Sequence, residues 1–581
     1  MSLATASRIA YSGLSAAQYK MNLASSNISN ADTDGYTEKS ATQVATVTAT
    51  GGSGTAITGV TSNVDRYLLA SLVDADSDLA AANTTASYSD QLQSLMGSTS
   101  GTSDGGTSIT SSMATLESAV TSLAASPDSD ADKASLVSAA TSLANQLRSI
   151  SGSIEAQRGD ADKEIGDDVT AVNASLKTIA DLNSQIVSLK AQGQSTADLE
   201  DQRTTALRSI ASNMNVNSYT ASSGALYVTT KGGKALVDAA THTLSYTAAG
   251  NVGQSTTFGD ITVDGNTVTG DITSGAIAAL KTMRDTTLPN AETALNSFAS
   301  TLMSKINAAT ADGTAVPAPT TVSGSTAVAT SDSFSATGSV RVSLVNSSGV
   351  LQSSSDIDLS SLSTVGDVVN ALNTVDGISA SVDSSGHLQI TSTTTGEGVA
   401  IGALTSSVGI DDESFAGYFG LNSVFTGSGA ADIAINANLT AEPSKLATGT
   451  LSTTSDADGD TVLTSGDATV AKALQTALST AYSFDSAGGL GAQTATLTNY
   501  SSAIVANVAA TATTAKSAQT TVTAMQSSLA GTWSSDTGVN IDEETAKLSD
   551  YEQLYNSSAQ VMSAVNSMFT TLLDVVKSAT S

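Results

Sequence analysis

Two apolar stripes stand at opposite ends of this 581-residue chain. Small or apolar residues at Leu3, Ala10, Leu14, Ala17, Met21, Ala24 and Ile28 follow steps of three and four after the first, as in the seam of a coiled-coil helix. At the other end Leu554, Val561, Val565, Met568, Leu572 and Val575 form one stripe, flanked at intervals of seven by Leu548, Tyr555, Met562, Phe569 and Val576. Chain ends ordinarily fray, and a helix as apolar as the second is not stable alone in water. With the β-rich runs between them, these ends predict an α+β multidomain protein; the stripes suit helices buried on a globular core or N- and C-terminal helices that pair in a coiled-coil-like terminal domain, and their place at both termini favours the pairing. The N-terminal knobs are mostly Ala, so a partner helix can approach closely.

Between the ends the period of the pattern changes several times. Helical spacing is expected over residues 60–97, from Ser112, after Pro127, from Val169 to Leu189 and across DLEDQRTTALRSIA. From Val216 short β-rich runs broken by Gly and Asn predict a small antiparallel insertion. Helix resumes at GAIAALKTMRDTTLPNAETALNSFASTLMSKINAAT, a second β-rich block follows to about residue 465, and GDATVAKALQTAL and the run from Thr496 return to helix. The expected division is 1–35 with 545–581 as the terminal coiled-coil domain, and 36–215 with 272–311 and 466–544 as a helical stem. Residues 216–271 are a small β insertion and 312–465 a β-rich outer domain.

Composition excludes several classes of function. The chain carries 54 acidic against 23 basic residues, a net charge of −31, with no Lys/Arg-rich run, so nucleic acid and anionic membranes are poor partners. No run of about 18 apolar residues offers membrane insertion. The start MSLATASRIAYSGLSA lacks the basic and apolar regions of a signal peptide, so any export of this protein is expected to use a route that does not cleave a signal. There is no Cys, and His242 and His387 lie far apart in sequence, which leaves no His/Cys zinc set.

Catalysis has no foothold in the motifs. Asp456, Asp458, Asp460 and Asp467 faintly echo a calcium loop, but Gly459 and Thr461 break its pattern and a solvated turn is the simpler reading. His387 in SSGHLQI reads as a strand residue after a turn, and KGGKAL lacks phosphate-loop spacing. The carboxylates are scattered in polar loops. No catalytic, cofactor-binding or metal-binding residue is expected, and the chain is not expected to be an enzyme.

The run SGLSAAQYKMNLASSNISNADTDGYT resembles the shared start of the bacterial flagellar axial proteins: rod, hook and hook-associated proteins. GVNIDEETAKLSDYEQLYNSSAQVMSAVNSMFTTLLDVV is similar to their common C-terminal helix. In the interior, VTAVNASLKTIADLNSQI, DLEDQRTTALRSIA, SGAIAALKTMRDTTLP and GYFGLNSVFTGSGAADIAI resemble the hook-associated branch that joins hook to filament. Ser25 and Ser26 depart from the Asn of many relatives, and the 312–465 block matches loosely outside GYFGLN.

The resemblance implies an extracellular structural protein, exported by the flagellar type III apparatus with an export chaperone and polymerised as a helical ring. Its implied partners are further copies of itself, the hook protein and the next junction protein toward the filament. Terminal helices disordered before assembly would suit a narrow export channel, and their ordering cost would restrain premature polymerisation. Asn27 and Asn30, just past the Ala-rich seam, are expected to be enclosed and hydrogen-bonded between subunits, fixing register as a buried Asn does in a coiled coil. Alternative readings are the hook protein, which shares both termini but fits the DQR and GYFGLN segments poorly, and a secreted adhesin or surface-layer protein.

Overall fold

The computed structural model describes residues 2–48, 51–97, 108–454 and 457–580. The architecture is α+β, with long helices at both ends and β-rich segments between them. Two compact units are built from interleaved stretches of chain. The first combines residues 1–87, 159–283 and 514–581; the second combines 88–158 and 284–513.

In the first unit, α1 (Leu3–Ser29) starts on a Ser2 hydroxyl that accepts the Thr5 N–H. A two-stranded hairpin follows, β1 (Lys39–Thr48) and β2 (Gly51–Ser62), paired antiparallel from Lys39 opposite Ser62 to Thr48 opposite Gly51. This hairpin lies where the sequence pattern predicts helical stem. Its Thr- and Val-rich alternation is β-forming, and the helix expected from residue 60 therefore begins later, as α2 (Arg66–Met96). The unit also takes in the second half of one long helix.

That helix, α4 (Asp130–Ala191), runs 62 residues and fuses two segments that sequence reading separates. Its buried residues Leu136, Ala140, Leu143, Leu147, Ile150 and Ile154 continue through Arg158, Ala161, Ile165, Val169, Val172, Leu176, Ile179, Asn183 and Ile186. Steps of three and four never break along this line, so one face stays inward for the whole length. Residues 152, 159 and 166 are glycines, but the apolar line outweighs their poor helix propensity, roughly 1 kcal/mol each. Asn183 interrupts the line for a reason: its Nδ2 donates to the Leu226 carbonyl at 2.8 Å and its Oδ1 accepts the Leu226 N–H at 2.9 Å.

Helix α5 (Ala197–Asn213) and the antiparallel sheet β3 (Val216–Thr220), β4 (Leu226–Thr230) and β5 (Ala235–Val237) complete this side. A smaller sheet at residues 244–267 and α6 (Ala276–Thr282) follow, close to the expected 216–271 insertion. The unit closes with the end of the Leu497–Thr537 helix and the C-terminal helix Ile541–Thr580.

The second unit holds α3 (Ile109–Ala125), the first half of α4 and α7 (Leu288–Ala311). A π-turn at Met283–Thr287 precedes α7, where Pro289 cannot donate the hydrogen bond that a regular turn requires. Beyond α7, strand Ser339–Asn346 lies between Leu351–Asp358 and Glu397–Gly402, and His387–Ser392 lies between Thr321–Ala327 and Ile378–Val382. Val340, Val342, Leu344, Ile390, Val399, Phe415 and Phe419 share one core there. The helix, strand, turn, strand order expected in GDVVNALNTVDGISASVDSSGHLQITS is Val365–Leu372, Ile378–Val382 and His387–Ser392.

Asp168, on α4, is half-buried beside Glu164 and Asp167; burial first, then these like charges, push its carboxyl pKa up to about 6. Because the folded value lies above the unfolded one, ionised Asp168 costs stability above pH 6, and the cost fades as pH falls toward 4. Asp168→Asn is therefore expected to raise the melting temperature at pH 7.5 by a few degrees and to leave it unchanged at pH 4, as thermal scans at both values would show.

Candidate assembly interface

The terminal helices do pair, antiparallel, within one chain. Toward the start of α1 the Ser7 hydroxyl meets Met562 Sδ at 3.6 Å, and further along the Lys20 ammonium stands 5.4 Å from the Tyr551 ring centre. Between them a Cβ placed on Gly13 would lie 3.1 Å from Ser558 Oγ. As α1 climbs, the C-terminal helix descends. On the α1 side Ala10, Ala17 and Ala24 are buried and Leu3, Leu14, Met21 and Ile28 half-buried, as the expected seam requires.

On the C-terminal helix the stripe read from sequence divides. The inward line is Glu544, Leu548, Tyr551, Tyr555, Ser558, Met562, Val565 and Phe569, again in steps of four and three. Only Val565 of the principal stripe belongs to it. Leu554, Val561, Met568, Leu572 and Val575 point outward and are 51–58% exposed, together with Leu573 and Val576. The correction has a simple cause. Two heptad lines run side by side on this helix, and the flanking line of Leu548, Tyr555, Met562 and Phe569, completed by Glu544, Tyr551, Ser558 and Val565, is the one that faces α1. All of residues 571–580 are exposed, because α1 ends short of them.

The segment that ends α1 is the root of this pair. Asn27 is 1% exposed and uses its full hydrogen-bonding capacity inside the chain. Its Nδ2 donates to the Lys39 carbonyl at 3.0 Å and to Glu544 Oε2 at 2.9 Å. Its Oδ1 accepts the Tyr36 hydroxyl at 2.9 Å and the Lys39 N–H at 3.1 Å. Asn27 thus has nothing left for a neighbouring subunit, which corrects the expected intersubunit role. Asn30 is not enclosed either; its Nδ2 donates back to the Ser26 carbonyl at 2.9 Å and serves as a helix-end bond.

Two ion clusters flank Asn27, one buried around Lys39 and one half-buried around Lys547. Lys39, 4% exposed, pairs with Asp201 of the DLEDQR motif, donates to the Thr37 hydroxyl at 3.0 Å, and stands 4.6 Å from the Tyr36 ring centre. Asp201 also accepts the Thr37 N–H at 3.0 Å and the Thr37 hydroxyl at 2.8 Å. On the other side Lys547 reaches Glu38 and Glu544 at 2.8 Å and Glu543 at 3.0 Å. Burial works against the Lys547 charge, but hydrogen bonds to Glu38, Glu544 and Glu543 outweigh it and raise the pKa. Burial likewise raises the Tyr36 phenol.

Gly35 makes the turn into this cluster possible. It has φ +77°, and a Cβ there would lie 2.6 Å from the Thr205 hydroxyl on α5. Lys39, Asp201 and Glu544 were not read from sequence as site residues. The available signal was that Asp201 lies in DLEDQRTTALRSIA and Glu544 in GVNIDEETAKLSDYEQLY, two of the stretches that carry the resemblance.

Elsewhere, Asp456 lies outside the described residues. Asp467 braces its own loop, accepting the Thr450 N–H at 2.8 Å and the Thr469 N–H at 2.9 Å. Among the described residues no group of three His, Asp or Glu side chains is placed to hold a metal ion, and no helix is long and apolar enough to cross a membrane.

Comparison with known proteins bears on these motifs directly. Residues 89–326 match the family described as "Flagellar hook-associated protein FlgK helical domain". The chain carries the flagellar hook-associated helical domain. Residues 8–37, which contain Asn27 and Gly35, match "Flagella basal body rod protein", and residues 339–394 match "Flagellin hook IN motif". Flagellar hook-associated protein 1 of Salmonella typhimurium and that of Salmonella typhi are each 28% identical over 201 residues, 33% of this chain and 35% of theirs. The matched stretch therefore spans about a third of those hook-associated relatives. The flagellar hook junction protein FlgK of Burkholderia pseudomallei shares the fold, with a TM-score of 0.50 at 16% identity, over 80% of this chain and 99% of that one.

Replacing Asn27 by Ala leaves the Glu544 carboxylate and the Lys39 amide groups without their partner, at a cost of about 1–3 kcal/mol for each group left unsatisfied. Asn27→Ala is expected to lower hydrogen-exchange protection throughout α1 and the start of the C-terminal helix, whereas Asn30→Ala changes it by under about 1 kcal/mol. Equal effects of the two substitutions would contradict the assignment.

Proposed function

We propose that this chain is a structural subunit of the bacterial flagellum that joins hook to filament, polymerising through its terminal helix pair. The observation that carries the reading is the line Leu554, Val561, Met568, Leu572 and Val575, which the fold leaves exposed on the helix that is already paired. Exposed apolar area in this arrangement is what a helix pair needs to pack against further copies in a tube. At about 25 cal/mol per Å² its burial supplies the drive for association, and the small-residue seam keeps each pair thin.

In this reading residues 1–35 with 545–581 form the inner tube. The partners are other copies in a helical ring, the hook protein on one side and the adjacent junction protein on the other. Export from the cytoplasm runs through the flagellar type III apparatus with its chaperone, without signal cleavage, and the assembled protein is extracellular. The role is mechanical and uses no cofactor. The matches to hook-associated proteins favour the junction over the hook itself.

Two strains test this. Cells whose only copy lacks residues 548–581 are expected to show hooks without attached filaments by electron microscopy, and normal filaments would contradict the junction role. Leu554→Ser with Val561→Ser and Met568→Ser leaves the inner seam intact. That protein is expected to be exported at the normal level but recovered from the medium rather than from the hook, and full retention would contradict assembly through the outward stripe.

A further inference from the structure

A cleft of about 380 Å³ in the first unit opens between the start of α2, helix α5 and strand β3. Four of the 23 basic residues of this acidic chain line it: Arg66, Lys190, Arg203 and Lys231. Arg203 is 6% exposed, so its guanidinium has lost most of its water. One nitrogen is fixed by neutral acceptors, with Nη1 donating to Asn183 Oδ1 at 3.0 Å and to the Gly224 carbonyl at 2.7 Å. Nε and Nη2 make no hydrogen bond among the described residues. That edge is the fork which grips a carboxylate or phosphate through two parallel bonds.

The acidic groups of the cleft do not fill this role. Asp201 is committed to Lys39 and Thr37, and Asp74 holds Lys231 at 3.1 Å. Glu200 accepts the Thr196 hydroxyl at 2.8 Å and forms no ion pair with Arg203 among the described residues. Arg66 makes no ion pair among the described residues, and Lys190 donates only to the Ser222 carbonyl, at 3.3 Å. Burial lowers the Arg203 pKa, and the Arg66 charge adds to this while Glu200 opposes it. A mostly buried guanidinium without a carboxylate, beside two cations without one, lacks an anion.

We propose that this cleft is an oxyanion site which receives the carboxylate of an acidic side chain from a second copy of this chain. The net charge of −31 repels free anions at a distance, whereas a packed neighbour delivers its carboxylate at high effective concentration. Arg203 supplies the two-point fork, and Arg66 and Lys190 supply charge at the rim. The source of the carboxylate rests on the tube reading above; the site itself does not.

The purified full chain tests the site, with glutarate and inorganic phosphate as probes at fixed ionic strength. Glutarate is expected to raise the melting temperature of the natural protein, and its apparent affinity to fall roughly tenfold in Arg66→Gln with Lys190→Gln, whose side chains can be changed without disturbing the core. Arg203→Lys, which keeps the charge and loses the fork, is expected to weaken glutarate as well. No effect of glutarate on the natural protein, or an equal effect on the double variant, would overturn the site. Phosphate binding far more tightly than glutarate would overturn the side-chain carboxylate in favour of a free anion. In cells, Arg66→Glu with Lys190→Glu is expected to be exported and then shed, and retention at the natural level would overturn the second copy as its source. Because glutarate binding is read without assembly, its failure leaves the junction reading standing, and filaments on the strain lacking residues 548–581 would remove that reading without touching the binding result.

Discussion

Four hydrogen bonds to one amide hold the terminal helices where they are. Asn27 ties the end of α1 to the main chain of Lys39 and to the Glu544 carboxylate at the start of the C-terminal helix. Both neighbours continue into charge clusters, Lys39 to Asp201 on α5 and Glu544 to Lys547 and Glu38. Burying these charges costs several kcal/mol per ion unless geometry and pairing are good. Removing any one partner strands the others, so the root of the helix pair is specified more tightly than its Ala-rich seam could specify it. Above the root the seam is small, uniform and tolerant of sliding; at the root it is locked.

This division explains how one helix can serve two surfaces. The C-terminal helix spends its polar and aromatic heptad line, Glu544 to Phe569, on α1. It keeps its most apolar line, Leu554 to Val575, on the outside. A helix held most tightly at one end by directional bonds and along one face by small residues leaves a free apolar face without losing its orientation. Such a face suits association between copies, and the cleft around Arg203 offers a polar contact of the complementary kind.

Much of the fold was legible because periodicity reports burial directly. The α1 seam, helices α3, α5 and α7 and the outer helix, strand, turn, strand run follow from spacing alone. The β1–β2 hairpin was lost because its weak Thr/Val alternation lies between strong helical patterns, and α4 was divided because glycines and the buried Arg158 interrupt its apolar line. The site was half legible. Asn27 stood out as a polar residue following an apolar seam, but whether its partners lay in the same chain depended on Lys39 and Glu544, one of them 517 residues away. Local spacing carries no information on such distant pairing. The choice between two parallel stripes on the C-terminal helix failed for a related reason: both show as heptad lines, and which of them faces α1 depends on the facing residues, Gly13 and Asn27.

The central claim is that α1 and the C-terminal helix pair antiparallel within one chain, with Gly13 against Ser558. A Cβ on Gly13 would lie 3.9 Å from Ser558 Cβ, within the range of about 3.5–4.5 Å that a disulfide spans. The chain has no cysteine of its own, so Gly13→Cys with Ser558→Cys can be oxidised in the full-length protein without competing thiols. Non-reducing electrophoresis and peptide mass mapping are predicted to show an intramolecular Cys bridge in nearly all molecules at dilute concentration. Free thiols after oxidation, or bridges formed only between two chains, would contradict the pairing on which the assembly surface depends.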